Sequence, residues 1–191
     1  MPDHKHDPWT EVTTRHGLPA DQVISALQKE IRRGREENAV LLAYEMAVTG
    51  PALEDYLWQR LMVISVEDIG FGEPSAPVLV NALRQMVGSL HRDVAERKLL
   101  AVHAARYLCR CLKDRSSDEM LNWVEHAMES GVALPQIPDY ALDMHTKAGR
   151  EMGRRKRHFL EEGAQVSPEL PDRDATYRQR LMDMLAAEGD L

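Results

Sequence analysis

Cysteine is nearly absent from this 191-residue chain: it has two, Cys109 and Cys111. Two residues apart they are poorly placed to bridge each other and cannot make a disulfide framework, so a reducing, cytosolic setting is expected. Aromatic residues make up only 5% of the chain, and no stretch alternates with the period of two that a half-buried strand requires. No apolar run approaches the roughly 18 residues of a membrane-spanning helix, and the N-terminus lacks the apolar core of a signal peptide. Cationic excess is missing too. Lys plus Arg total 24 against 31 Asp plus Glu, a net charge of −7, which argues against wrapping duplex DNA over the whole surface but leaves room for a local basic patch.

What is present is helix-forming. Apolar residues make up 43%, and Leu, Met and Ala outweigh the β-branched and aromatic types, which favours helix over sheet. Residues 1–18 read as a flexible N-terminal arm. The helical pattern begins at Pro19, with Val23, Ile24, Leu27 and Ile31 on one face. Further helices are expected over about 36–48 (Val40, Leu41, Tyr44 and Ala47 inward), from Pro51 to about Gly70, over 75–88 (Val78, Leu79, Ala82, Leu83, Met86) and over 92–113 (Leu99, Leu100, His103, Tyr107, Cys111). A sixth begins near Ser116, where Ser116 and Glu119 fit a capping box, with Met120, Leu121, Val124 and Met128 inward. The segment 132–138 interrupts this rhythm, and an acidic C-terminal loop and helix fill 160–191. The expectation is an all-α fold of about six to eight helices, with a helical domain over 19–159.

Catalytic signatures are missing. The glycines of GFGEP (70–74) and GREMG (149–153) lack the spacing of a phosphate loop and its Lys-Ser/Thr pair. LMVISVED (61–68) ends in two carboxylates like a magnesium-binding strand, yet its period is helical. His91, His103, His126 and His145 are scattered, and His6-Asp7 is the one adjacent His-Asp pair. No catalytic residue, metal ligand set or cofactor is expected. One oddity is Pro2-Asp3-His4: a free amine, two amides and the imidazole would make a square-planar set for Cu(II) or Ni(II) if Met1 were removed.

Two features carry information. Glu67 and Asp68 end a strongly apolar helix, where negative charge opposes the helix dipole. Either both carboxylates are solvated or cap the helix near Ser75, or they meet an arginine or a backbone N–H across a helix–helix or subunit boundary. The second feature is 147–158, where Lys147, Arg150, Arg154, Arg155, Lys156 and Arg157 against Glu151 give +5, with Phe159 adjacent. Such a cluster offers sequence-independent, salt-dependent phosphate binding, and the ring could stack a single-stranded base. The acidic residues from 160 onwards could instead fold back on it.

The run ISALQKEIRRGREENAVLLAYEMAVTG, followed by a Leu-rich helix ending in SVEDIGFGEPSAPVLVNAL, resembles the C-terminal helical region of the RarA/MgsA-type AAA+ ATPases, relatives of clamp loaders. The matching residues are Ser65, Glu67, Asp68, Ile69, Gly70 and Pro74, with Val66 inserted between Ser and Glu. The likeness continues through RKLLAVHAARYLCRCLKD and VALPQIPDYALDMHTKAGREMG, about residues 21–153 in all. It implies a clamp-loader-collar-like fold, a homo-oligomer (a tetramer), a DNA replication or repair context, and Glu67, Asp68, Ile69 and Gly70 as an interaction motif. It does not transfer ATP hydrolysis, since the ATPase core is not in this sequence. The arm and the acidic end EGDL suggest a stand-alone chain. The expectation is a non-enzymatic oligomerisation module with a DNA or replication-protein partner; the alternative is a nucleic-acid-binding accessory protein acting through 147–158.

Overall fold

A computed structural model describes residues 7–188. The copper-type site at Pro2-Asp3-His4 and the last three residues lie outside the described residues. The chain divides into two units, Met1–Ser130 and Gly131–Leu191. Among the described residues the secondary structure is helical, with one isolated bridge between Thr13 and Pro19. No helix among them is long and apolar enough to cross a membrane.

In the first unit, α1 (Ala20–Arg32) follows Pro19 and buries Val23, Leu27 and Ile31, which recur every four residues on one face. Gly34, in the left-handed region at φ 67°, ends it by donating its N–H to Ile31 O at 3.0 Å. Gly50 and Pro51 separate α2 (Glu36–Thr49) from α3 (Pro51–Glu67), with Pro51 at a first-turn position where its missing N–H costs nothing. Two more helices complete the core, α4 (Ala76–Gly88) and α5 (Glu96–Arg110). Leu27, Leu57, Leu61, Ile64 and Leu108 sit at its centre, fully buried. Each contributes about 1.5–3 kcal/mol of apolar burial.

Several expected inward faces are wrong, and in α2 and α5 the reason is the same. In α2 the buried residues are Ala39, Ala43, Glu45 and Met46, while Leu41 and Tyr44 are exposed. In α5 they include Ala101, Ala104, Ala105, Leu108 and Cys109, while Leu99 and His103 face solvent. α2 and α5 pack against each other, and facing alanines let two backbones approach closely, so the small side chains lie inside and the large ones flank them. α4 is rotated from its expected face without that swap: Val78, Ala82 and Met86 are exposed, while Ala76, Val80, Leu83 and Val87 are buried.

α5 is also shorter than the expected 92–113. Its C-terminal end is closed by Lys113, whose ammonium donates to the carbonyls of Leu108, Cys109 and Cys111 at 3.0, 3.0 and 2.5 Å. Arg97 performs the equivalent task inside the core. It is buried, pairs with Glu54 at 2.8 Å, and donates to Val87 O and Leu90 O at 2.6 and 3.1 Å, satisfying carbonyls at the end of α4.

The segment read as an arm is folded over its described part. Pro8–Glu11 forms a 3-10 turn capped by Asp7, and the Trp9 ring lies 4.9 Å from that of Tyr56. Further on, His16 donates its backbone N–H to Glu45 Oε1 at 2.8 Å and places its ring on Oε2.

The last helix of this unit, α6 (Ser116–Glu129), buries only Ala127. Met120, Leu121, Trp123 and Met128 are exposed and Val124 is half-buried, so most of the apolar face expected to be inward stays uncovered. The expected capping box is also not formed. Arg115 is the N-cap, and Asp114 Oδ1 accepts from Ser116 N at 2.9 Å instead.

In the second unit the helices are α7 (Lys147–Glu151), α8 (Lys156–His158), which runs on into a π turn at Phe159–Gly163, and α9 (Thr176–Ala187). The short helix expected from Asp139 is a 3-10 turn, Asp139–Ala141. Thr146 caps α7 by accepting from Gly149 N at 2.9 Å. Gly149 must be glycine, because a Cβ there would stand 1.9 Å from Asp143 O.

Candidate interaction surface

The Glu67-Asp68-Ile69-Gly70 sequence lies where α3 ends. Asp68 is fully buried, and its two carboxylate oxygens are shared among three side chains. Arg32, at the end of α1, donates Nε–H to Oδ1. Arg115, which precedes α6, donates Nη1–H to the same oxygen at 2.7 Å, and Gln28 donates to Oδ2 at 2.9 Å. Glu67 accepts from Arg32 and Arg115 at 3.1 and 3.2 Å. Asp118, in the first turn of α6, takes the remaining arm of Arg115. Burial works to lower the Arg115 pKa, but its hydrogen bonds to Asp68 and Glu67 raise it overall. The two carboxylates therefore meet arginines within the chain, across helix boundaries, rather than standing solvated.

The rest of the motif serves the same junction. Ile69 is fully buried. Gly70 has φ 51°, and a Cβ on it would come within 2.3 Å of Asp114 O; Gly72 would meet Leu112 O at 2.5 Å. Only glycine permits so close an approach of two backbones. The contact is sealed by Asp114 N, which lies 3.1 Å from Asp68 O and 3.2 Å from Ile69 O. The motif thus fastens the segment 112–115 onto the end of α3, and α6 leaves from that fastening.

The consequence is a groove of about 440 Å³ between α3 and α6. Met62, Val63, Val66 and Leu121 give it an apolar floor, with Ser117, Glu67 and Asp118 at its edge. Val63, Val66 and Leu121 are exposed. The sequence reading missed Arg32, Arg115, Gln28 and the groove residues. Arg32 was visible only as a helix-ending arginine, and the pairings to Asp68 span 36 and 47 positions, which no local pattern encodes.

The basic segment behaves differently. Lys147 pairs with Glu151 at 3.7 Å, and Arg150 donates to Met144 O and His145 O at 3.3 and 3.1 Å. Arg154 binds both carboxylate oxygens of Asp139 at 2.7 and 2.6 Å and also donates to Asp139 O and Leu142 O. Arg157 pairs with Glu161, four residues on, at 2.9 Å. Arg155 and Lys156 are exposed. Phe159 sits edge-on to His145, ring centroids 5.0 Å apart. Among the described residues no group of three or more His, Cys, Asp or Glu is gathered for a metal. Burial pushes the Cys109 thiol up to about 11, so it is a packed side chain and a poor nucleophile.

The profile of the MgsA AAA+ ATPase C-terminal family matches residues 34–167. The chain belongs to this family. It is also similar to Replication-associated recombination protein A of Bacillus subtilis (strain 168), 30% identical over 157 residues. The match takes in 78% of this chain and 35% of that relative, so the chain spans about a third of the relative's length. The MgsA C-terminal match includes α2 to α6, the Glu-Asp-Ile-Gly motif, Arg115 and the basic segment; Gln28 and Arg32 lie just before it. The matched region is the one described for that family as the C-terminal part of an AAA+ ATPase.

Proposed function

We propose that this chain is a non-enzymatic oligomerisation module of the collar type, working in replication-associated recombination alongside an AAA+ ATPase core. The observation that carries self-association is the surplus of large apolar side chains that single-chain packing leaves outside. α2 and α5 turn their alanines to each other and keep Leu41, Tyr44 and Leu99 in solvent. Apolar surface on paired helices is what an interface between copies would cover. In this reading Glu67, Asp68, Ile69 and Gly70 act by holding the helices in place rather than by touching the partner copy.

The test is the absolute mass in solution by light scattering, at low and moderate salt. A discrete closed oligomer, a tetramer by family resemblance, is expected. Leu41→Asp with Tyr44→Asp should reduce it towards monomer without loss of helix content. A monomeric wild type overturns the reading.

A second reading, nucleic-acid binding through 147–158, is favoured by the net +5 of that stretch and the exposure of Arg155 and Lys156. The pairing of Lys147, Arg154 and Arg157 with carboxylates weighs against it, since each ion pair reduces the charge offered to phosphate. Retention on immobilised single-stranded DNA, and its loss with rising salt, decides it.

A further inference from the structure

We infer that the groove between α3 and α6 is a docking site for a basic amphipathic helix of a partner protein. α6 is a 14-residue helix with one buried residue. A helix of that length is marginal on its own in water, and here the Arg115 network secures its first turn while Ala127 is buried near its other end. Its large apolar side chains Met120, Leu121, Trp123 and Met128 are exposed. Leu121 faces the groove with Val63 and Val66, and Met62 supplies a flexible, polarizable wall that adapts to different side chains. At about 21 Å, α6 has room alongside it for a partner helix of some four turns.

Charge selects the occupant. α6 carries Asp118, Glu119, Glu125 and Glu129 and has no lysine or arginine. Asp118 and Glu125 are two turns apart and therefore on one face, the face that edges the groove next to Leu121. Glu67 and Asp118 at the groove edge are already paired with Arg32 and Arg115, so the negative charge left for a partner is that of Glu125 and Glu129; Arg84 lies against the Met62 sulfur. A partner helix with two or three apolar anchors at i, i+3/i+4 and i+7, and lysine or arginine along the edge facing α6, matches floor and rim together. This proposal goes beyond the self-association assigned to α2 and α5 and stands independently of it.

The experiment is fluorescence anisotropy on the full chain with two labelled helical peptides of roughly four turns. Both carry the same leucine stripe; one is flanked by lysines, the other by glutamates. The lysine-flanked peptide should bind about tenfold tighter or better, and Glu125→Lys with Glu129→Lys should reduce or invert the preference. Leu121→Asp and Val66→Asp should each abolish binding. Because these two variants make the chain more acidic, a loss cannot come from weaker non-specific attraction. All four positions are exposed, and circular dichroism checks that the variants fold. Equal binding of the two peptides, or binding unaffected by Leu121→Asp, overturns the proposal. So does binding of neither peptide while Leu121→Asp alone turns an oligomer into a monomer, because a second copy would then fill the groove. A monomeric wild type that still binds the lysine-flanked peptide refutes the collar reading and leaves this one standing.

Discussion

Two sets of arginines meet carboxylates in this molecule, and they do opposite things. Arg32 and Arg115 converge on a fully buried Asp68, from helices remote in sequence. Arg154 and Arg157 satisfy partners on the surface, Asp139 and Glu161, within about four turns of chain. Desolvation makes the difference. A buried carboxylate stripped of its partners keeps the penalty of burial, so removing the arginines leaves the Asp68 charge uncompensated. An exposed pair is screened by water and salt, and its removal costs little. Salt bridges that look alike in a contact diagram therefore carry very different energies.

The largest effect should come from Arg32→Met with Arg115→Met, which strips the buried Asp68 carboxylate of both arginines and is expected to lower unfolding stability by about 3–5 kcal/mol; urea denaturation measures it. If the cost is below about 1 kcal/mol, the cluster is no different from a surface pair. Gly70→Ala should follow, at about 1–3 kcal/mol from its left-handed backbone alone, with more added because the new Cβ meets Asp114 O. Gly17→Ala makes the control: it also has positive φ, 82°, but open space around its Cβ. The difference between the two isolates the close approach. Changing Arg155 and Lys156 to Glu should alter stability by no more than about 0.5 kcal/mol, and any single-stranded DNA retention should vanish with it.

The smallest effect sharpens the comparison by pH. Arg110 and Arg106 both hydrogen-bond Glu36, and they hold its carboxyl down to about 2 from an ordinary 4.5. A depressed carboxylate stabilises the fold fully above 4.5, and that contribution is lost as pH falls towards about 2. Glu36→Gln should therefore be less stable than wild type near neutrality, with the gap closing below pH 4 and nearly gone at about 2. A gap that stays constant across this window rules out the ion pair as its source.

Helix positions were legible in the sequence because their punctuation is local. Pro19, Gly34, Gly50-Pro51 and the Ser75 region mark ends within a residue or two of those observed. Inward faces were less legible. Choosing the largest apolar residues for the core misplaced Leu41 and Leu99, because close helix pairs bury alanine. The oddity of Glu67-Asp68 was readable as two acids at the wrong end of a helix dipole. Their partners were not, since Arg32 and Arg115 come from opposite sides along the chain. The groove was illegible for a related reason: a stripe of Met120, Leu121 and Met128 has the same sequence pattern whether a core covers it or nothing does.

The fastening of 112–115 to the end of α3 bears on how variants of this protein would be interpreted. The first turn of one groove wall is held by Gly70, Asp68 and Arg115, none of which lines it. A genetic screen for lost partner binding would return these positions beside Leu121 and Val66. Only the thermal stability of each purified variant would separate the two kinds, because the first group changes the angle at which α6 leaves the body and the second changes what it offers.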